Sequence, residues 1–243
     1  MTWGFFTIPH ISSLLIAVGI IIGLYYLLKV MPRKLQWTLM FILSFAGISA
    51  IIFNLVTWNS PLEYLPLHMC SINAMLLPFA VLTRNKTICN LLVVWCLGAL
   101  VALILNQSVM ATEVLSPVFN FYYFPHIIEF ALPIFLFKFK YVKLDYKSIP
   151  VTIVITMIIY TGIHFANIVI NNYCLENNIL DYAGNVVQVN YMFSVSPDNP
   201  LLQIFYSIIP FDYWYMYLII PILVVYLLIV YGPSIRREYL RNR

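Results

Sequence analysis

YLPLHMCSINAMLLPFAVL, residues 64–82, is an apolar run with His68 and Cys70 at its mouth and Asn73 one turn further in. A hydrocarbon layer of about 30 Å is crossed by a helix of about 20 apolar residues, which is close to the length of this run. Polar and ionisable groups are costly inside such a layer, so their presence is a functional hypothesis by default. Pro66 suits the first turn of a helix, where its missing N–H loses nothing. Cys70 then sits near a helix start, where free N–H groups and the positive end of the dipole favour a thiolate. The plain alternative is packing, because free Cys is among the most buried residue types and behaves as a small hydrophobe.

The rest of the chain shares this character. Of 243 residues, 63% are hydrophobic and 9% charged, with a mean hydropathy of +0.91. A soluble domain carries about a quarter charged residues, so a water-facing surface is excluded and the chain reads as an integral membrane protein. Apolar runs fall at about 11–28, 37–56, 64–82, 88–105, 119–137, 149–170 and 211–231. They are continuous rather than alternating, which argues against a transmembrane barrel. The expected fold is all-α: a polytopic bundle of seven transmembrane helices forming one membrane domain over residues 1–243. No basic segment precedes the first run and no small-residue cleavage site follows it, so that run is expected to remain as an anchor.

Charge sets the expected orientation. Lys29, Arg33 and Lys34 follow the first run, Arg84 and Lys86 the third, Lys138, Lys140, Lys143 and Lys147 the fifth, and Arg236, Arg237, Arg241 and Arg243 the last. With seven spans all thirteen fall on one side, which the positive-inside rule assigns to the cytoplasm. The N-terminus is then outside, the C-terminus cytoplasmic, and the location a cell membrane. The opposite loops carry Glu63, Glu113, Glu176, Asp181 and Asp198 and no Lys or Arg. The net charge of +4 therefore follows from topology. It implies contact with anionic headgroups and no nucleic-acid partner.

Polar residues recur at one depth. His10, His68, His126 and His164 belong to four different spans and all fall in the outer half, which suggests one polar cavity open to the outside. Residues three apart share a helix face, and three such pairs occur: Cys70 with Asn73, His126 with Glu129, His164 with Asn167. His68 and Cys70, two apart, point in roughly opposite directions, so a base for Cys70 must come from another span. The stretch 171–200 forms an outer loop far longer than the usual connection of about 4–6 residues, and LLQIFYSII, before Pro210, is too short to cross.

Several readings of these residues remain open. A buried thiol needs a neighbouring base to be reactive; His126 or His164 can serve, with Glu129 or Asn167 holding the imidazole in one tautomer. The same groups can join spans by interhelical hydrogen bonds, or line a ligand pathway. A metal site drawing on several histidines is the remaining reading, but no HExxH or CxxC spacing supports it, and Cys89, Cys96 and Cys174 make no paired motif.

LPLHMCSINAMLLP, FPHIIEFALPIFL and NYMF followed by SPDNP resemble the motifs of the YwaF family of bacterial integral membrane proteins, in order and spacing over most of the chain. That family is distantly similar to transmembrane protein 164, a eukaryotic acyltransferase that moves fatty acyl chains between phospholipids through a Cys and a His in separate spans. The resemblance implies Cys70 as acyl-accepting nucleophile and His126 as its partner, with His68, Asn190 and Tyr191 on motif positions of unassigned role. Around Cys70 this chain reads HMCS, whereas the eukaryotic pattern has its His after the Cys. The implied function is a lipid acyltransferase or transacylase with a thioester on Cys70. A membrane phospholipid is the expected acyl donor, since ATP and coenzyme A are cytoplasmic. The acceptor, a lipid or lipidated molecule, is not specified, nor is an oligomeric state. No cofactor and no metal is implied. The competing function is a non-enzymatic transporter or ligand-binding component.

Overall fold

In hydrocarbon every backbone polar group must be satisfied internally, so continuous apolar runs become helices. The computed structural model describes residues 4, 6–58, 60–105, 112–181 and 183–241; Arg243 lies outside them. Among the described residues the chain is all-helical, without strands, and Leu180 and Val186 form an isolated β-bridge. The helices are α1 (Ile8–Val30), α2 (Arg33–Leu43), α3 (Ala46–Thr57), α4 (Met69–Thr83), α5 (Lys86–Leu105), α6 (Pro117–Lys138), α7 (Ile149–Glu176), α8 (Pro200–Ile208) and α9 (Ile220–Arg241).

Local chemistry sets their ends. Thr7, Ser116 and Asn199 cap α1, α6 and α8 with side-chain oxygens that accept from the first turn, and in each the first turn carries a proline. The 37–56 run is not one straight helix. Ser44 donates its hydroxyl to the Phe41 carbonyl at 2.6 Å, a local bond that competes with the helical ladder, and α2 ends there before α3 begins. The start of α4 also differs from expectation. His68 is its N-cap, Met69 its first residue and Cys70 its second, while Pro66 lies outside the helix.

Five segments are long and apolar enough to cross a membrane: Ile8–Val30, Arg33–Thr57, Lys86–Leu105, Tyr146–Glu176 and Trp214–Leu240. Of the other two expected spans, α4 has 15 residues, or about 22 Å at 1.5 Å per residue, and α6 has 22 residues interrupted by Pro125 and Pro133. The shortness of α4 has a physical reason. The non-helical chain leading into it packs Leu62, Leu65 and Leu67 against a buried protein cluster, the condition under which irregular backbone is tolerated at depth. The nine-residue α8 is too short to cross.

The main apolar cluster joins α1, α2, α4, α5 and α6 through Leu28, Met40, Leu77, Leu92, Trp95 and Leu132. Outside it, large apolar side chains face outward along α1, α7 and α9, among them Leu15, Ile158 and Leu228. A soluble monomer does not expose apolar surface on that scale, so the bundle is built to be solvated by lipid. Its two ends differ in chemistry. At one, Arg33 donates to the Phe139 carbonyl at 2.6 Å, Lys86 pairs with Asp145, and Lys147 pairs with Glu238 at 3.2 Å. At the other, segment 186–199 folds back over α7 and the start of α4.

Candidate functional site

The α3, α4 and α6 crossing is unusually close. A Cβ built on Gly47 of α3 would overlap Ala74 Cβ on α4 and Glu129 Oε1 on α6, so glycine is what allows the three helices to meet. Pro133 has no N–H to give the carbonyl four residues back, which is that of Glu129. Asn73 of α4 reaches across and donates Nδ2 to this carbonyl in a long bond of 3.5 Å. Asn73 and Glu129 are both buried, yet Asn73 Oδ1 and Glu129 Oε2 have no hydrogen-bond partner. Buried polar atoms are rarely left so.

Cys70 opens the same seam. It is a free thiol, partly buried, and its sulfur lies against the N–H groups of Cys70 and Ser71 and the Ser71 hydroxyl, with the Glu129 carboxyl within electrostatic reach. One turn before Glu129 on α6 stands His126, only 9% exposed. Its Nδ1 is 2.6 Å from the Tyr122 carbonyl. A carbonyl only accepts, so Nδ1 carries the proton and Nε2 keeps its lone pair. The group that orients His126 is therefore the Tyr122 carbonyl of its own helix, rather than Glu129 or Asn167. Nε2 makes no hydrogen bond among the described residues, and none joins His126 to Cys70. His68 stands between this seam and the loop above it. Its imidazole is within electrostatic reach of His126, and its Nδ1 accepts from the Met192 N–H at 3.3 Å.

The remaining candidates belong to a second arrangement. Asn167 of α7 donates Nδ2 to the Tyr191 carbonyl at 2.8 Å and to Ser194 Oγ at 2.9 Å, and its Oδ1 accepts from the Tyr191 N–H at 3.0 Å. One turn on, Asn171 does the same for Val189, at 2.9 and 2.7 Å. Two asparagines thus hold an extended segment as a neighbouring strand would. His164 Nδ1 meets Ser194 Oγ at 3.1 Å. Asn190 organises the next turn, contacting Ser196, Asp198 and the Val195 N–H. Tyr191 is buried, donates its hydroxyl to the Leu62 carbonyl and sets its ring 5.3 Å from that of His68. Asn171, Ser194 and Tyr122 were not singled out from the sequence; an Asn at the i+4 position from Asn167 was the readable sign for the first.

The four histidines do not converge. His10 is buried where α1 meets α5, with Nδ1 accepting from the Phe6 N–H at 3.0 Å and Nε2 3.3 Å from the Leu103 carbonyl. Among the described residues no three His, Cys, Asp or Glu side chains come together as metal ligands. The arrangement sets a free thiol, an imidazole with an unused lone pair and, among the described residues, two acceptors without partners along the α4–α6 seam, below a loop held by Asn167 and Asn171. No curated protein and no solved structure matches the chain. The family model described as the TMEM164 family matches residues 5–231, and the chain belongs to that family.

Proposed function

We propose that the chain is a membrane-embedded lipid acyltransferase or transacylase in which Cys70 carries the acyl group and His126 moves the proton. The observation that carries this reading is the His126 tautomer: Nδ1 is committed to the Tyr122 carbonyl, leaving Nε2 as the base on the helix facing Cys70. Membership of the TMEM164 family supports it. In the first half-reaction Cys70 Sγ attacks the ester carbonyl of a phospholipid, and its proton passes to Nε2. The ester C–O bond breaks, the proton goes to the departing glycerol oxygen, and a lysophospholipid leaves behind a thioester. An acceptor hydroxyl then attacks the thioester, gives its proton to Nε2, and Nε2 returns it to the sulfur. The carbonyl oxygen of the tetrahedral intermediate is stabilised at the start of α4, where the Cys70 and Ser71 N–H groups pass from the sulfur to the developing oxyanion and no N-cap side chain competes for them.

In this reading Asn73 and Glu129 meet the polar part of the substrate, and His68, Asn190 and Tyr191 hold the loop that covers it, with His164 and Asn167 as its support. Seven spans, the N-terminus outside, the basic end in the cytoplasm of a cell and a phospholipid donor complete the proposal. The order of LPLHMCSIN, FPHIIEF and NYMF with SPDNP supports a YwaF-like branch of the family.

The test is incubation of purified protein with a labelled phospholipid. A hydroxylamine-sensitive adduct is expected on Cys70, lost in Cys70→Ser. His126→Ala slows its formation by about 10²–10⁴-fold, and His164→Ala by less. Full turnover in Cys70→Ala overturns the mechanism. Ligand retention without any adduct turns the reading towards a binding or transport component.

A further inference from the structure

At the basic end of the bundle, Arg33, Lys34, Trp37, Arg84 and Tyr141 line an open cleft of about 350 Å³. The guanidinium of Arg33 lies 3.6 Å from the Tyr141 ring centre, and that of Arg84 lies 5.2 Å from it. Three cations therefore share one cleft, and none of them has a carboxylate partner among the described residues, where the ion pairs are Lys86 with Asp145 and Lys147 with Glu238. Part of Arg33 is spoken for, since it donates to the carbonyls of Phe139 and Lys140. Among the described residues, Lys34 and Arg84 have no such acceptor for their side chains. Like charges gathered without a counter-charge repel one another, and an anion relieves that repulsion.

The cleft continues into hydrocarbon. Trp37, in its wall, stacks on Phe41 with ring centres 5.6 Å apart. Phe41 is the first residue of an apolar groove of about 230 Å³ shared with Phe45, Ile48, Pro78, Phe79 and Leu82. Going up α2 and α3 the residues read Lys34, Trp37, Phe41, Phe45, Ile48, about one turn apart, and coming down α4 they read Arg84, Leu82, Phe79, Pro78. Both faces thus change from cationic to apolar, with the amphipathic Trp37 at the transition on α2. Phe45, Phe79 and Leu82 are exposed on the outer surface of the bundle.

We infer that the α2–α4 face binds one anionic glycerophospholipid, its phosphate among Arg33, Lys34 and Arg84 and an acyl chain along the Phe41–Phe45–Phe79 groove. A free anion fills only the cleft, and a zwitterionic lipid brings its own cation in beside Arg33, Lys34 and Arg84, so the combination selects a lipid of net negative charge. The site is separate from the acyl-transfer reading: Arg84 and Cys70 are fourteen residues apart on α4, about 20 Å along its axis.

Full-length protein is purified in neutral detergent and titrated with phosphatidylglycerol, with phosphatidylcholine of the same chains, and with glycerol 3-phosphate. Binding is read by native mass spectrometry and by thermal shift. Phosphatidylglycerol is expected to bind at least about tenfold more tightly than phosphatidylcholine, with glycerol 3-phosphate ineffective at the same concentrations. Lys34→Gln and Arg84→Gln each weaken it about fivefold, and Phe79→Ser weakens it as well. Lys143→Gln, on the same end but outside the cleft, leaves it unchanged. Exposed Lys34 provides a second variant should Arg84→Gln not fold. Equal affinity for the two lipids, equal affinity for glycerol 3-phosphate, or unchanged binding in the folded cation variants overturns the inference.

Discussion

Asn73 and Asn167 are both fully buried on helices, and they differ in what their amides do. Asn167 uses both ends of its side chain, closing a pair of bonds of 2.8 and 3.0 Å around Tyr191 and adding Ser194. Asn73 makes one bond, at the long limit of 3.5 Å, and its oxygen, like Glu129 Oε2, has no partner among the described residues. A buried polar group with all its partners in place is a structural fastener. A group that keeps bonding capacity in the dry interior carries an energetic cost, and evolution tolerates such costs mainly where something else comes to bind. The loop over α7 is thus held from both ends of the Asn167 amide, whereas the α4–α6 seam keeps unused bonding capacity, which is where the proposed function places the polar part of the substrate.

The strongest way to break this division is Asn167→Ala. It strands the Tyr191 N–H and carbonyl in a buried site, at about 1–3 kcal/mol each. A large fall in Tm in detergent is expected. An unchanged Tm would mean that the loop is held by other contacts and that the contrast with Asn73 is empty.

Gly47→Ala comes next. The added Cβ overlaps Ala74 and the Glu129 carboxylate oxygen, and overpacking of this kind costs about 1–3 kcal/mol. Because the displaced atom belongs to Glu129, adduct formation on Cys70 should fall as well. A variant that loses stability while keeping its full rate would separate Glu129 from the chemistry. Asn73→Ala sharpens the comparison from the other side. It strands one backbone group, the Glu129 carbonyl, against two for Asn167→Ala, and the bond it removes is long, which predicts a stability loss near the low end of about 1–3 kcal/mol, against a much larger proportional loss of acyl transfer. A stability loss as large as that of Asn167→Ala would class Asn73 as a fastener too.

Much of the helical layout is legible in the sequence because apolar runs report where a chain can meet lipid. The Ser44 break and the late start of α4 are not, since both depend on neighbours that run composition does not encode. Polar spacing was informative in part. The three-residue pairs do carry Asn73, Glu129, His126 and Asn167 inward, but depth alone suggested that four histidines share one cavity, and rotation about each helix axis distributes them to different partners. His10 faces Leu103 and His164 faces Ser194. The link between Pro133 and Asn73 needs two helices 56 residues apart in sequence to be adjacent, and the Tyr122 carbonyl that sets the His126 tautomer is a backbone group with no sequence sign at all.

The smallest effect lies at the basic end, where the polar contacts are bonded yet wet. Lys86 is ion-paired with Asp145, with half of the Lys86 side chain exposed, and the Asp145 N–H donates to Asn90 Oδ1 at 3.1 Å. The hydrogen bond from Lys86 is the main cause that holds the Asp145 carboxyl below its ordinary range; burial opposes it, and the Lys147 N–H adds to it. A carboxyl depressed in the folded state contributes stability that is present above its unfolded pKa of about 4. That contribution is lost as the pH falls through the lower folded value. Solvent screening limits such a pair to about 0.2–1 kcal/mol. Wild type should therefore show a small extra loss of Tm on going from pH 5 to pH 3 that Asp145→Asn lacks, and high salt at pH 7 should shrink the difference between the two proteins. An Asp145→Asn difference that is instead as large as that of Asn167→Ala would show that full bonding, whether dry or wet, is what fastens this bundle, and that burial is not the distinguishing term.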